Sequence, residues 1–425
     1  LSLEPVHRRG HQMLYLALAR ARVDIVRLRR SLAGLSPPRS RDGRVRLALD
    51  VSGYPRPYAA TSPERLHTQG SCSCDGQRHT KAGWPFSFLV ALQAGPGSFT
   101  AVLDAARIAP ADDVTEVSAV QIRQAVERLV TAGWWRCGDP PIVIAVDAGY
   151  DVARLAFLLA GLPVELVGRV RADRVFHRPA PARKPGRGRP ARHGARFAFT
   201  DPATWGDPDQ ATCTQGTRYG TAGTQAWWRL HPRLGERSGW DGHEGELPLV
   251  EGTVIHLSVE RLPGNRAPKP VWLWCSNPQA DAQQVDQAWS AYLRRFDIEH
   301  MFRLFKQTLG WTRYHPLQPS QAETWTWLLI AAYTQLRLAR GLVADRPRPW
   351  ERAVRPDAPP TPARVRREFR RIQPDLPNPT SAQKKTTPGP GRPRGTIRPP
   401  RPRYTSGKNP GKPDTTPTAK TESEA

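Results

Sequence analysis

Short apolar stretches recur between residues 44 and 172, and their spacing predicts strands that alternate with helices. "RVRLALDVSG" (44–53) alternates apolar and polar positions and then reaches a carboxylate, as a strand running into a loop does. "PPIVIAVDAGYD" (140–151) contains a continuous apolar run, which is typical of a strand buried on both faces, and it also reaches an aspartate. Similar patterns predict further strands at 84–93, 98–108, 163–172 and 269–277.

Helical periodicity fills the intervals between these strands. The apolar spacing predicts helices at about 11–32, 116–134, 152–162, 280–310 and 319–343. Residues 197–262 contain short strand-like pieces such as "GTQAWWRLHP" and "GTVIHLSVERL". Strands that first follow one another and then alternate with helices predict an α/β fold, with a mixed sheet flanked by helices.

The charge of the chain indicates a polyanionic partner. The net charge is +25, from 63 Lys and Arg against 38 Asp and Glu, and nucleic acid is the commonest partner of such a surplus. A ribosome-associated protein, or one that is merely rich in arginine, would show the same balance. No stretch approaches the ~20 apolar residues that a membrane-spanning helix needs, so no membrane partner is expected.

Five cysteines at irregular spacing indicate a reducing compartment rather than a disulfide framework. Cys72, Cys74 and His79 have the donor types of a zinc site, but no second ligand pair follows at the usual spacing.

Four polar residues of the predicted helix 280–310 lie on one face. At ~100° per residue, Tyr292, Arg295, Glu299 and Lys306 fall within an arc of roughly 60°. A surface helix scatters its charges, and a core face does not place an acid among bases. This face therefore indicates a site that uses both signs of charge.

Two aspartates, Asp50 and Asp147, come at the ends of predicted strands. With Glu299 they form a set of three acids from distant parts of the chain. Carboxylates hold hard cations such as Mg²⁺, and two such ions assist phosphodiester cleavage. Each acid has a simpler interpretation: a turn cap at Asp50, a loop residue at Asp147, and at Glu299 an ion pair with Arg295 or Arg303.

The spacing Y-x-x-R-x-x-x-E-x-x-x-x-x-x-K, met by Tyr292, Arg295, Glu299 and Lys306, resembles the Tyr-Arg-Glu-Lys signature of bacterial insertion-sequence DDE transposases. "LALDVSGYPRP" and "IVIAVDAGYD" are similar to the two aspartate strands of that family. The resemblance extends from about residue 40 to 343. It implies an RNase H-like mixed sheet with a strand-rich insertion before the catalytic helix.

The resemblance also implies an activity. Asp50, Asp147 and Glu299 are expected to bind two Mg²⁺ ions, for which Mn²⁺ may substitute. Hydrolysis at the element's ends would free a 3′-OH for strand transfer into target DNA. Arg295 and Lys306 are expected to hold phosphates, with Tyr292 bonded to a phosphate or packed beneath the strand. A dimer on paired DNA ends, associated with the nucleoid in the bacterial cytoplasm, is expected.

Further contacts with double-stranded DNA are expected from arginines outside this face. Arg303 follows Glu299 on the same helix, and Arg56 follows the first acid. The basic run 174–196 includes Arg187 and Arg189, and "PGRPRG" (390–395), with Arg392, resembles an AT-hook. Each of these features has a simpler interpretation. Arg303 could form an ion pair and Arg56 could cap the loop. The run 174–196 could be a solvated linker, and 390–395 could be low-complexity sequence. In that family a tryptophan of the insertion stacks on a flipped base. Most of the four tryptophans here are expected to form the core of the insertion, and none is singled out for stacking: Trp205, Trp227, Trp228 and Trp240.

The resemblance divides the chain into five parts. These are 1–40, a remnant of an N-terminal helical DNA-binding region; 41–173, the first part of the core; 174–262, the basic loop and insertion; 263–345, the second part with the catalytic helix; and 346–425, a disordered Pro- and Arg-rich basic tail. Two alternatives stay open: another RNase H-fold nuclease, and an inactive or truncated relic that only binds DNA.

Overall fold

The computed structural model describes residues 16, 18–40, 42–71, 78–93, 99–181, 191–235, 239–241, 243–262, 267–351, 359–372 and 400–407. The helices are α1 (Ile25–Gly34), α2 (Val114–Thr131), α3 (Val152–Leu158), α4 (Ala282–Arg294), α5 (Asp297–Arg303), α6 (Pro319–Leu338) and α7 (Pro362–Ile372), with a π-helical turn at Leu304–Thr308. No helix in these ranges is long and apolar enough to cross a bilayer.

Twelve strands form one mixed sheet. They are β1 (Arg46–Pro55), β2 (Leu66–Ser71), β3 (Arg78–Leu92), β4 (Thr100–Arg107), β5 (Ile142–Val146), β6 (Val164–Val170), β7 (Val175–Pro179), β8 (His193–Ala198), β9 (Gln210–Gly216), β10 (Gly220–Pro232), β11 (Gly252–Val259) and β12 (Val271–Cys275). The order is β2-β3-β1-β5-β6-β12-β11-β10-β7-β8, with β4 on β3 and β9 on β10. The central β1, β5 and β6 are parallel. This confirms the predicted mixed α/β fold, and its arrangement is consistent with an RNase H-like core.

The strand pattern follows from burial on both faces of the sheet. Leu47 and Leu49 of β1 pack into a core with α2 and α3, whereas Ala48 between them packs into a second core with α5, α6 and α7. All five residues of β5 are buried, as the continuous apolar run predicts. A third core joins α4 to β5, β6 and β11. The central strands thus lie between two helical layers.

The strands of the insertion continue the main sheet. β12 pairs with β6 on one side and β11 on the other, and β10 pairs with β11. The strand-rich character predicted for 197–262 is therefore present. The hydrogen bonding between strands runs without a break from the core into the insertion.

The predicted helix 280–310 is divided. An Asp281–Gln284 capping box starts α4, and a tight turn separates α4 from α5. In that turn the N–H of Ile298 donates to Arg295 O and the N–H of Glu299 donates to Phe296 O, each three residues back. These shorter hydrogen bonds separate α4 from α5 just before Glu299, while Arg295 and Phe296 keep helical backbone angles.

Both ends of the described chain differ from the expected pattern. The helix expected over 11–32 does not continue into α1, because Asp24 caps a new start there by accepting the N–H of Arg27 (2.9 Å). The tail expected from residue 346 contains α7, which buries Val365 in the second core. Residues 400–407 lie beside β2.

Candidate active site

Asp50 lies in the middle of β1, held by hydrogen bonds to both carboxylate oxygens. Oδ1 accepts the N–H of Val51 (2.8 Å), and Oδ2 accepts Nη1 of Arg295 (2.9 Å). The side chain is 16% exposed. Asp50 is therefore fixed in orientation and largely removed from water.

Asp147 follows the last residue of β5, and the parallel pairing brings it level with Asp50. The register of β1 with β5 reaches Ala48–Ala145, so two further positions along each strand set Asp50 beside Asp147. Neighbouring strands lie ~4.8 Å apart. Nη2 of Arg295 lies 3.6 Å from Asp147 Oδ1, so a single guanidinium contacts both carboxylates.

Glu299 approaches the same place from the helical layer. It is exposed on α5, close enough to Asp50 for their charges to interact. Burial raises the pKa of Asp50 to about 6; Arg295 acts in the opposite direction, and the charges of Glu299 and Asp147 add to the rise. The fold thus brings together the three acids singled out in the sequence.

Lys306 and Tyr292 flank this group on the helical side. The Lys306 ammonium lies 6.0 Å from the ring of Phe302 and 5.9 Å from that of Trp311. Burial lowers the pKa of Lys306, while Glu299 and Asp50 act in the opposite direction. Tyr292 is buried, and its ring centroid lies 5.8 Å from the guanidinium carbon of Arg295.

The turn between α4 and α5 is fixed by Asp297, which is 2% exposed. Arg294 Nη2 lies 2.8 Å from one carboxylate oxygen of Asp297, and Arg218 Nη1 lies 3.7 Å from the other. Arg218 belongs to the β9–β10 turn, where the Tyr219 hydroxyl donates to Leu293 O (3.4 Å). The insertion therefore contacts the helix two residues before Glu299.

The same hairpin also supports α4. Asp286 of α4 accepts hydrogen bonds from the hydroxyls of Thr212 and Thr214 on β9, each at 2.6 Å. It also accepts the indole N–H of Trp289 at 2.8 Å. These bonds fix the axis of the helix that leads into the candidate site.

The carboxylate set suits a hard divalent cation in the type of its donors, because all of them are oxygen. The raised pKa of Asp50 marks a negative charge that a cation would offset. No group of three or more His, Cys, Asp or Glu side chains in the described part of the chain is placed to hold a metal ion. The guanidinium of Arg295 instead provides the positive charge between Asp50 and Asp147. The donors fit Mg²⁺, and ligation requires them to move relative to Arg295.

Other residues singled out in the sequence lie farther from this group or outside the described ranges. Arg303 is exposed on α5, and Arg56 is half-buried just beyond β1. Three candidates for DNA contact fall outside the residues that the structure describes, namely Arg187, Arg189 and Arg392, as do the zinc candidates Cys72 and Cys74.

The insertion tryptophans pack within the protein. Trp227 and Trp240 are buried. Trp205 stacks on Phe197, in the hydrophobic cluster that also contains Trp227. The half-buried Trp228 donates its indole N–H to Ala280 O (2.9 Å). The expectation that most of the four form the core of the insertion agrees with these contacts.

One aromatic residue stands out that the sequence patterns do not identify. Tyr58, three residues beyond β1, is 99% exposed. Its neighbours "PRPYAATSP" read as an ordinary Pro-rich loop, so the only signal would have been an aromatic residue among turn formers.

Comparison with protein families shows that the family described as DDE superfamily endonuclease matches residues 1–233, a range that includes Asp50 and Asp147. No curated protein matches the chain significantly.

Proposed function

Since the chain belongs to the DDE superfamily endonucleases, we propose that it is the transposase of a bacterial insertion sequence. It cuts phosphodiester bonds at the ends of its element and joins the freed 3′-OH to target DNA. The observation that supports this proposal best is the approach of Asp50, in the middle of β1, and Asp147, just after β5, to Arg295, with Glu299 close enough for its charge to act on Asp50.

In this proposal Asp50, Asp147 and Glu299 hold two Mg²⁺ ions, for which Mn²⁺ can substitute. When bound, the ions supply activation of the attacking oxygen and stabilisation of the leaving oxygen. Asp50 and Asp147 lie on adjacent strands of a rigid sheet, so they set a fixed spacing for the reacting phosphate. Glu299 completes the set from the helix.

The neighbouring cations hold the DNA backbone. Arg295 exchanges its carboxylate partners for a phosphate when the site is loaded, because a guanidinium binds both anions in the same bidentate manner. Lys306, desolvated over two aromatic rings, contacts a second phosphate. Tyr292 packs beneath Arg295 and limits its rotamers. Fixing the backbone on both sides of the scissile bond favours in-line attack.

Double-stranded DNA is the substrate and the target in this proposal. Further phosphate contacts come from Arg303 and Arg56, and from the basic segments that carry Arg187, Arg189 and Arg392. The net charge of +25 favours such contacts across the whole protein. Pairing of two element ends requires a dimer on DNA, and the protein works in the nucleoid of the bacterial cytoplasm.

The experiment that tests the proposal compares two aspartates that lie four residues apart. Supercoiled plasmid carrying the DNA that flanks the gene is incubated with protein and Mg²⁺. We expect Asp147→Asn to abolish nicking and to leave DNA binding intact. Asp151→Asn is the matched control, because Asp151 caps α3 by accepting the N–H of Arg154 and asparagine caps a helix equally well. Nicking by Asp147→Asn at the wild-type rate would refute the proposed site.

A second candidate function is a protein that binds DNA without cutting it. It is favoured by the ion pairs of Arg295 with Asp50 and Asp147, which satisfy the acids without a metal. This alternative predicts salt-sensitive binding and no Mg²⁺-dependent nicking by the wild-type protein. The plasmid assay therefore distinguishes the two functions.

A further inference from the structure

The loop that follows β1 presents one fully exposed aromatic side chain. Tyr58 is 99% exposed, more than any other large hydrophobic residue in the described ranges. It lies between Pro57 and Ala59 at the carboxyl end of the strand that carries Asp50. Exposing a whole tyrosine ring forgoes the stabilisation that burial gives.

The loop around Tyr58 is nevertheless well organised from within. Arg65, 5% exposed, donates Nε to Ser62 O (3.0 Å) and Nη1 to Arg56 O (3.2 Å). The N–H of Arg56 donates to Ala82 O on β3 (2.7 Å). A buried guanidinium bonded to several loop carbonyls fixes the backbone on both sides of Tyr58. The exposure of the ring is therefore a property of an ordered loop.

A C-terminal segment, residues 400–407, completes this organisation; we call it the arm. Gly407 pairs with Leu66 at the edge of β2, where the N–H of His67 donates to Gly407 O (3.0 Å). Nearer to Tyr58, the N–H of Tyr404 donates to Ala60 O (2.8 Å), and Arg65 Nη2 donates to Tyr404 O (2.9 Å). The arm is thus bonded to the loop two residues from Tyr58.

Docking of the arm makes the surroundings of Tyr58 basic. Arg401 and Arg403 are exposed on the arm, next to the residue that bonds Ala60. The single carboxylate among residues 56–66 and 400–407 is that of Glu64, and it pairs with Arg107 (2.9 Å). An exposed ring on a loop to which a basic segment is bonded complements a polyanion that has flat faces.

We propose that Tyr58 and the arm form a contact site for an unpaired DNA strand, in which Tyr58 stacks on a base and Arg401 and Arg403 bind the adjacent phosphates. This rests on the proposed function, which makes DNA the substrate. Pro55, the last residue of β1, lies five positions beyond Asp50, or about 17 Å along the strand. That span corresponds to roughly five nucleotides at ~3.4 Å each, so the stacked base lies a few positions from the scissile phosphate.

A stacked base and a phosphate contact should differ in how the affinity depends on unpaired DNA and on salt, and fluorescence anisotropy measures both dependences. Binding is measured in EDTA, so that cleavage plays no part, with a duplex and with the same duplex extended by a single-stranded overhang. We expect Tyr58→Ala to weaken overhang binding by about five- to hundredfold, the range of base–aromatic stacking, and to leave duplex binding unchanged. Tyr58→Trp keeps a ring face and should bind the overhang as the wild type does.

Two further variants complete the design. Trp350→Ala removes an aromatic ring that is 77% exposed elsewhere and should change neither affinity. Arg403→Gln should weaken overhang binding and lower the slope of log K against log salt by about 0.7, whereas Tyr58→Ala should keep the wild-type slope. Because the Tyr58 side chain is 99% exposed in the described part of the protein, melting curves should show that Tyr58→Ala folds normally.

Three results would overturn the inference. Unchanged overhang binding by Tyr58→Ala would exclude stacking, and equal losses on duplex and overhang would show that the loop is a general contact. If the wild-type protein binds neither DNA, the proposed function itself fails. These outcomes are distinct, since the first two leave wild-type DNA binding intact.

Discussion

Replacing Asp50 by asparagine should stabilise the metal-free protein at neutral and alkaline pH. Asparagine has nearly the shape of a protonated aspartic acid, so it keeps the packing and removes only the ionisation. Burial raises the pKa of Asp50 from an ordinary 3.8 to about 6. At ~1.36 kcal/mol per pKa unit, keeping Asp50 ionised in the folded chain costs about 3 kcal/mol.

The pH dependence of this cost has a defined sign. The folded state holds the Asp50 proton more tightly than the unfolded state, so the group's contribution to stability is fully present below pH 3.8. It is lost as the pH rises to about 6. Wild type and Asp50→Asn should therefore be equally stable near pH 4 and differ by about 3 kcal/mol at pH 8. At ~2 °C per kcal/mol for a large chain, the melting temperature differs by on the order of 5 °C.

Thermal unfolding in EDTA between pH 4 and pH 8 measures this difference. Asp147→Asn is the matched control, because this side chain is 41% exposed and should change stability little. Added Mg²⁺ should raise the melting temperature of the wild type and not of Asp50→Asn. If Asp50→Asn melts below the wild type at pH 8, the ion pair with Arg295 outweighs the cost of burial, and the reasoning is wrong.

Three other substitutions test the elements around the site. Arg295→Met leaves Asp50 and Asp147 to repel each other and should lower metal-free stability by about 2–4 kcal/mol. Mg²⁺ should restore part of this loss in a melting-temperature titration, and no recovery would argue against ligation. Arg218→Met removes the contact with Asp297 and loosens the turn before Glu299, so it should slow Mg²⁺-dependent nicking by up to about 100-fold at unchanged DNA affinity. A normal nicking rate would show that the contact between Arg218 and Asp297 is dispensable. Asp104→Ala removes a fully buried side chain and leaves Arg29 and Arg128 without their carboxylate partner, so it should cost about 3 kcal/mol in urea unfolding; a loss below 1 kcal/mol would contradict this.

Much of the fold was predictable because burial imposes strong patterns on the central strands. The apolar runs before Asp50 and Asp147 predict β1 and β5, and both strands are confirmed, but the prediction that the first strand ends at Asp50 is wrong, because β1 continues to Pro55. Strand register has no comparable signal, so the pairing of Ala48 with Ala145, which sets Asp50 near Asp147, does not follow from the apolar pattern, and the closeness of the two acids was expected from the resemblance. The register depends on side-chain packing contributed by several elements at once.

The helical half of the site shows where local reasoning fails. An ideal wheel places Arg295 and Glu299 on one line, yet a turn of shorter hydrogen bonds lies between them. That turn is stabilised by Asp297, whose partner Arg218 is 79 residues away along the sequence. Tyr58 escaped detection for a related reason, because exposure is a property of the folded loop and leaves no periodic pattern.

The unbroken sheet has a consequence for how the protein can be divided. Because β12 pairs with both β6 and β11, residues 197–262 cannot be excised as a separate module. Their removal would leave β12 with an open edge, separated from β5 by β6 alone, and open edges promote aggregation. The insertion and the core should therefore melt in one cooperative transition.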